Sequence, residues 1–228
     1  MVNRSIVLDS EANGLRPDKV HCIVAKDVKT GEVFKFVQKE CYKEFVKFFN
    51  EEVSTVIGHN LIGYDIPRVL TPLLGLDVPV SMVYDTLVLS RLFNTTRHYE
   101  EKRKFAKAGK VLPKVIMQKP HSLEAWGHRV GLHKPDHTDW SEFSEEMLHR
   151  CTYDVEINHK VWDRLKSESV GFSPDCIRME HEVTQEIERQ GRNGFYLDQN
   201  LAMHLRNQAK AVCDRIEKEI VPHLPPGS

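Results

Sequence analysis

The run Arg4-Ser5-Ile6-Val7-Leu8-Asp9-Ser10-Glu11 joins a short apolar, β-branched strand to two carboxylates. Side chains at positions i and i+2 of an extended chain point to the same face. Asp9 and Glu11 can therefore converge on one point just past the buried part of this strand. That arrangement suits a divalent cation, although an acidic pair at the end of a strand is also typical of a solvated turn.

The residues that follow this run predict an α/β fold. Residues 4–37 have the pattern of an antiparallel meander, and helical and strand-like spacings alternate after it. The predicted strands cover residues 4–11, 20–27, 33–37, 53–58, 80–84 and 195–197. The predicted helices cover residues 40–52, 63–74, 85–92, 123–130, 145–165, 174–190 and 199–220. We therefore expect a mixed β-sheet, made of the meander plus parallel strands and flanked by α-helices.

Two further carboxylates are placed where they could join the first pair. Asp65 falls in the first turn of the helix that follows the strand 53–58, where the helix dipole also favours an acid without any function. Asp154 lies at the border of the apolar stripe of the helix 145–165. A carboxylate buried there needs a cation or hydrogen-bond donors, so a functional and a purely structural role both remain open.

A site of four carboxylates without cysteine or histidine ligands suits hard cations such as Mg²⁺ or Mn²⁺. Two such ions can activate a water molecule and stabilise the leaving oxygen of a phosphodiester. If the four carboxylates meet, the chemistry they favour is that of a phosphoryl-transfer nuclease.

Residues 97–119 are locally basic, with little apolar periodicity and only two acids among them. The pattern predicts a long mobile loop or a frayed hairpin. It is either a solvated insertion or a segment that contacts nucleic-acid phosphates. Its cations are Arg97, Lys102, Arg103, Lys104, Lys107, Lys110, Lys114 and Lys119.

Composition excludes several classes of protein. The 228 residues are 40% hydrophobic and 29% charged, with a formal net charge of −1, so no overall basic field indicates nucleic acid. The five cysteines contain no Cys-x-x-Cys, which argues against a disulfide framework and a zinc site. No stretch is typical of a signal peptide or a membrane span, so we expect a cytoplasmic protein with no membrane partner.

Several blocks carry a resemblance to a known family. Asp9-x-Glu11, Asn60 with Asp65, and Asp154 resemble the three motifs of the DEDD exonuclease superfamily, whose fold is RNase H-like. Three longer blocks resemble the N-terminal part of family A (pol I-type) replicative DNA polymerases of short-tailed phages. These blocks are Asp85-Thr86-Leu87-Val88-Leu89-Ser90-Arg91-Leu92, His121-Ser122-Leu123-Glu124-Ala125-Trp126-Gly127 and Gln190-Gly191-Arg192-Asn193-Gly194-Phe195.

The resemblance implies that residues 1–172 are a 3′-5′ proofreading exonuclease domain and that residues 173–228 are the helical start of a polymerase domain. Such a domain removes nucleoside 5′-monophosphates from single-stranded or frayed DNA 3′ ends. Its partner would be a polymerase domain, in cis or on a separate chain. Because palm and fingers are absent from 228 residues, we expect no polymerase activity from this chain.

The resemblance also implies roles for individual residues. Asp9, Glu11 and Asp154 would hold one divalent cation, and Asp9, with Asp65 through water, would hold a second. Leu15 matches the residue that packs against the terminal base. Asn60 matches a residue near the 3′-terminal nucleotide.

One position departs from the family. A tyrosine usually lies four residues before the last aspartate, and a sister branch has a histidine five residues before it. Arg150 and His149 occupy these positions here, and a guanidinium cannot act as a base. His149 reaches the site only if its helix begins late or bends. The remaining candidates are Tyr153 and a metal-activated water with no protein base.

Two alternatives to the deoxyribonuclease hypothesis stay open. The chain could be an exoribonuclease of the same superfamily. It could also be a non-catalytic domain that binds DNA 3′ ends, a hypothesis motivated by the missing tyrosine.

Overall fold

The computed structural model describes residues 3–132, 139–220 and 223, with the backbone alone for residues 38–41. Its strands are β1 (Arg4–Ala12), β2 (Val20–Asp27), β3 (Val33–Val37), β4 (Val53–Gly58) and β5 (Val83–Asp85). They form one sheet in the order β3-β2-β1-β4-β5. β2 is antiparallel to β1 and β3, whereas β4 is parallel to β1 and β5. The predicted α/β class is confirmed, and the mixed sheet is consistent with an RNase H-like fold.

Apart from two helices within residues 97–119, the described helices lie close to the predicted ones. They are α1 (Gln38–Glu52), α2 (Thr71–Leu74), α3 (Thr86–Phe93), α4 (Arg97–Lys107), α5 (Lys114–Gln118), α6 (Leu123–Val130), α7 (Glu145–Glu168), α8 (Pro174–Asn193) and α9 (Gln199–Ile220). A π-helix, Asp65–Leu70, precedes α2. Serine side chains cap two of these helices: the Ser144 hydroxyl accepts the Met147 N–H at the start of α7, and the Ser122 hydroxyl accepts the Ala125 N–H at the start of α6.

The central strand β1 is covered on both faces. Ile6 packs in the cluster that contains the phenylalanines of α1, and Val7 packs in a second cluster with Cys151 of α7. Alternation along the strand then places Asp9 and Glu11 on the same face as Val7, toward α7. The sheet thus presents both carboxylates to the helix that carries Asp154.

The prediction of a loop or hairpin over residues 97–119 is wrong, because α4 and α5 lie there. The Arg97 guanidinium lies 4.6 Å from the Trp126 ring centroid and makes two hydrogen bonds, of 2.9 and 2.6 Å, to Glu168. Contacts with residues so far along the chain leave no trace in apolar periodicity. The sequence-based idea that this segment contacts phosphates stays a prediction.

Two predicted strands also differ from the structure. Residues 195–197 are irregular and at least 66% exposed, since no described strand is there to pair with them. Residues 80–84 divide into a 3-10 turn, Val80–Met82, and the start of β5. Pro79 directly before this turn favours a bend rather than the start of a longer strand.

The chain divides into two compact units, Met1–Arg189 and Gln190–Ser228. The first contains the sheet, and the second contains α9. The assignment of residues 1–172 and 173–228 to an exonuclease domain and the start of a polymerase domain stays a prediction. Among the described residues, no helix is both long and apolar enough to cross a membrane.

Replacing Glu168 by glutamine should lower the free energy of unfolding by about 1–3 kcal/mol, because the Arg97 side chain is only 8% exposed and would lose its charged partner. Burial raises the pKa of Glu168, but the hydrogen bonds and charges of Arg97 and Arg164 together outweigh burial and hold the pKa below its usual 4.5. The folded state therefore binds fewer protons. The difference in the free energy of unfolding between the wild type and Glu168→Gln should be complete above pH 4.5 and shrink as the pH falls.

Urea unfolding at several pH values measures this effect. Asp163→Asn is the matched control, because its ion pair with Lys166 on the same helix is about half exposed on both sides. That change should cost less than about 0.5 kcal/mol. Equal losses in the two variants would contradict the prediction.

Candidate active site

The end of β1 brings two carboxylates close to a thiol of α7. One ligand atom from each of Asp9, Glu11 and Cys151 lies within 4.8 Å of the other two. The thiol donates to the main-chain oxygen of Asp9 at 3.5 Å. Burial, with contributions from Cys22 and the Asp9 charge, raises the pKa of the Cys151 thiol well above its usual value. The thiol is therefore neutral, and the two carboxylates are the ligands suited to a hard cation.

Asp154 approaches this pair from α7. It is 4% exposed and lies three residues after Cys151, on the stripe of the helix that faces the sheet. α7 continues without interruption from Glu145 to Glu168, so the helix fixes the position of Asp154 along β1.

Asp65 reaches the site from the other side of β1. It is the first residue of the π-helix, 4% exposed, and its Oδ1 accepts the Ser10 hydroxyl at 2.5 Å. Burial raises the pKa of Asp65 to about 7, against the effect of the Ser10 hydrogen bond. A cation bound beside Asp65 would favour its ionised form.

The turn between β4 and the π-helix is built around Asn60, which has a φ of 69°. A Cβ atom on Gly63 would lie 2.4 Å from the Asn60 Oδ1, so a larger residue there would displace the Asn60 side chain. The Asp85 carboxylate accepts the N–H groups of Asn60 and Ile62, at 3.0 Å each. These bonds hold the turn that leads into Asp65.

Asp85 is itself held by α8. Its backbone N–H donates to Nε2 of His181 at 2.8 Å, and Nδ1 of His181 then donates to the Ile177 carbonyl at 2.7 Å. Asp85 and His181 are each 1% exposed. Asp85 is therefore a buried N-cap of α3 that also supports the Asn60 turn.

An open pocket of about 200 Å³ collects these residues. Its lining consists of Asp9, Ser10, Glu11, His59, Asn60, Tyr64, Asp65, Trp140, Arg150 and Asp154. All four predicted carboxylates and Asn60 are thus brought together. Asp65 and Asp154 line this pocket without belonging to the tighter cluster of Asp9, Glu11 and Cys151.

Leu15 and His149 do not line this pocket. Leu15 is 84% exposed, on the turn after β1. His149 is exposed, and its ring centroid lies 5.2 Å from that of Tyr153. α7 shows neither the late start nor the break that would turn His149 toward Asp154.

Sequence reasoning missed four lining residues: Ser10, His59, Tyr64 and Trp140. Tyr64 donates its hydroxyl to the Gly14 carbonyl at 2.7 Å. Burial, with the nearby carboxylates, raises the pKa of Tyr64 to about 12, so it is not a base near neutral pH. The adjacency of His59 to Asn60 and of Ser10 to Asp9 was the available signal, but neither residue type is diagnostic alone.

No protein-family model matches the chain. It is 28% identical over 239 aligned residues to the DNA-directed DNA polymerase of Escherichia phage T7. It is 27% identical over 238 aligned residues to that of Enterobacteria phage T3. Each alignment covers 85% of this chain and 33% of the relative, so the chain spans about a third of their length. The resemblance to the DNA polymerases of phages is thus confirmed.

Proposed function

We propose that this chain is a metal-dependent 3′-5′ exodeoxyribonuclease, the proofreading part of a DNA polymerase. It would release nucleoside 5′-monophosphates from single-stranded or frayed DNA 3′ ends. The observation that carries the proposal is the convergence of four carboxylates, from three separate segments of the chain, on one open pocket. Similarity to phage DNA polymerases supports DNA as the substrate.

The four carboxylates of the pocket fit two Mg²⁺ or Mn²⁺ ions, since carboxylate oxygens are the ligands that suit hard cations. Asp9, Glu11 and Asp154 would hold one ion, and Asp9, with Asp65 through water, would hold the other. When bound, such ions activate a water molecule and stabilise the leaving oxygen of the phosphodiester. Ser10 orients Asp65, and Asp85 keeps the Asn60 turn in place beside it.

Arg150 and His149 occupy the two positions at which the family has its base, and neither is suited to remove a proton in this pocket. Arg150 lines it but cannot accept a proton, and neither His149 nor Tyr153, the other candidate on α7, is among its lining residues. We therefore propose that no side chain of α7 removes the proton from the attacking water. Asn60 and Leu15 would contact the terminal nucleotide, Leu15 from its exposed position on the turn after β1.

The remaining assignments are proposals by analogy with the phage relatives. Residues 173–228 would begin a polymerase domain, which acts in cis or on a separate chain. A protein encoded by a phage would work in the cytoplasm of the host cell.

The test is a time course on a 5′-labelled single-stranded DNA oligonucleotide with Mg²⁺, Mn²⁺ or EDTA. A ladder of products that shorten from the 3′ end in both metals, and no cleavage in EDTA, is expected. A matched RNA oligonucleotide should be cleaved more slowly. Preferred cleavage of RNA would replace the proposal by an exoribonuclease, and binding without cleavage would replace it by an end-binding domain.

A further inference from the structure

Arg150 lies inside the acidic pocket, one helical turn before Asp154 on α7. Its Nε is 4.0 Å from Oε1 of Glu11, and its side chain is 19% exposed. Its guanidinium carbon lies 5.4 Å from the ring centroid of Trp140, whose carbonyl is 3.0 Å from Nε2 of His21. Trp140 and Glu11 thus define the position of this cation from two sides.

The contact between Arg150 and Glu11 differs from the buried pair elsewhere in the fold. Arg97 and Glu168 are joined by two hydrogen bonds of 2.9 and 2.6 Å, whereas 4.0 Å exceeds hydrogen-bond distance. A guanidinium has five N–H donors in a planar fork that matches a phosphate. Because this fork has five donors, Arg150 can stay beside Glu11, keep its other contacts and still bind a phosphate oxygen.

The charges of the pocket favour such an anion. The charges of four carboxylates and two divalent cations would sum to zero, and a bound phosphodiester would add one negative charge. A further negative charge develops on its oxygens as water attacks, where a fixed cation is most effective. Arg150 is the one arginine or lysine among the described residues that line this pocket.

We infer that Arg150 binds a non-bridging oxygen of the terminal phosphodiester and holds it against the carboxylates. The inference rests on the proposed nuclease function and adds a substrate contact to it. The family has a tyrosine at this position, which would assist the attacking water. In this chain Arg150 would bind the reacting phosphate instead. No proton or bond changes at the guanidinium in this role.

The test compares DNA binding by the wild type, Arg150→Gln and Arg150→Lys. A fluorescent single-stranded oligonucleotide is titrated in Ca²⁺ and in EDTA at several salt concentrations, and its integrity is checked afterwards. In Ca²⁺, Arg150→Gln should bind about tenfold more weakly at low salt. The slope of log K against log salt should fall by about 0.7, the value for one lost phosphate contact on a single strand. Arg150→Lys should keep the slope, because it keeps the charge.

The matched control is Arg178→Gln on α8. Arg178 is 58% exposed and lies 3.1 Å from Asp175, and its replacement should leave both affinity and slope unchanged. In Mg²⁺, kcat of Arg150→Gln should fall about 100-fold. Thermal unfolding establishes whether each variant is folded. If Arg150→Gln is unfolded, the test uses Arg150→Lys, which should have a kcat about tenfold below that of the wild type and an unchanged slope.

Wild-type affinity and slope in Arg150→Gln would overturn the inference. Tighter Mn²⁺ binding with an unchanged slope would overturn it as well, because Arg150 would then only neutralise Glu11. If the proposed function is wrong, the wild type will cleave neither DNA nor RNA in Mg²⁺ or Mn²⁺. The salt dependence of DNA binding by the wild type and Arg150→Gln would still show whether Arg150 contacts a phosphate.

Discussion

Replacing Asp9 by asparagine should lower the rate of DNA cleavage by at least about 100-fold. Loss of a residue that only supports a metal ligand already costs 10- to 100-fold, and Asp9 is proposed to contact both ions directly. An amide oxygen keeps the shape of the side chain but removes its negative charge. The loss should therefore appear in kcat at saturating Mg²⁺ and also as weaker Mn²⁺ binding.

Single-turnover cleavage of a 5′-labelled oligonucleotide measures this effect. Asp163→Asn on α7 is the control, because Asp163 is 57% exposed and far along the helix from Asp154. Its rate should equal that of the wild type. The Asp9 variant should remain folded, since the change relieves repulsion among neighbouring carboxylates. An Asp9→Asn variant that cleaves within a few-fold of the wild-type rate would contradict the proposed metal site.

Replacing Asp85 by asparagine should lower the free energy of unfolding by about 2 kcal/mol and slow cleavage by about tenfold or more. The carboxylate accepts the N–H groups of Asn60, Ile62 and Leu87. An amide can keep its oxygen toward Asn60 and Leu87, but its NH₂ group then faces the Ile62 N–H. The buried donor loses its partner, and the turn that leads to Asp65 loosens.

Asp198→Asn is a matched control, because Asp198 also caps a helix and accepts the Leu201 N–H at 2.9 Å. That cap is exposed, and asparagine caps a helix as well as aspartate does, so the change should cost only a few tenths of a kcal/mol. Urea unfolding and cleavage assays compare the two variants. An Asp85→Asn protein as stable and active as Asp198→Asn would show that Asp85 does not position the turn.

Local sequence patterns account for much of the fold and for the candidate ligands. The alternation in β1 placed Asp9 and Glu11 on one face, and the structure shows that this face meets α7. Ser144 was predictable as a cap because its hydroxyl acts within three residues of the chain. Asp154 was predictable as partly buried because helical periodicity sets its angle relative to Cys151 and Val155.

Contacts between distant residues were not predictable in the same way. Ser10 and Asp65 are 55 positions apart, and Ser10 by its alternation belongs to the opposite face of β1 from Asp9. Arg97 and Glu168 are 71 positions apart, and their pairing joins the first residue of α4 to the last residue of α7. The position of His149 depended on where α7 begins, and the start at Glu145 directs it away from the pocket.

The central claim is that Asp9, Glu11, Asp65 and Asp154 together form a two-metal centre. Anomalous diffraction from crystals soaked in Mn²⁺ tests it most directly, with Asp9→Asn crystals as the comparison. We expect two Mn²⁺ peaks in the pocket lined by these carboxylates and neither peak at full occupancy in the variant. Absence of Mn²⁺ from this pocket in the wild type, or peaks that are unchanged in Asp9→Asn, would contradict the account.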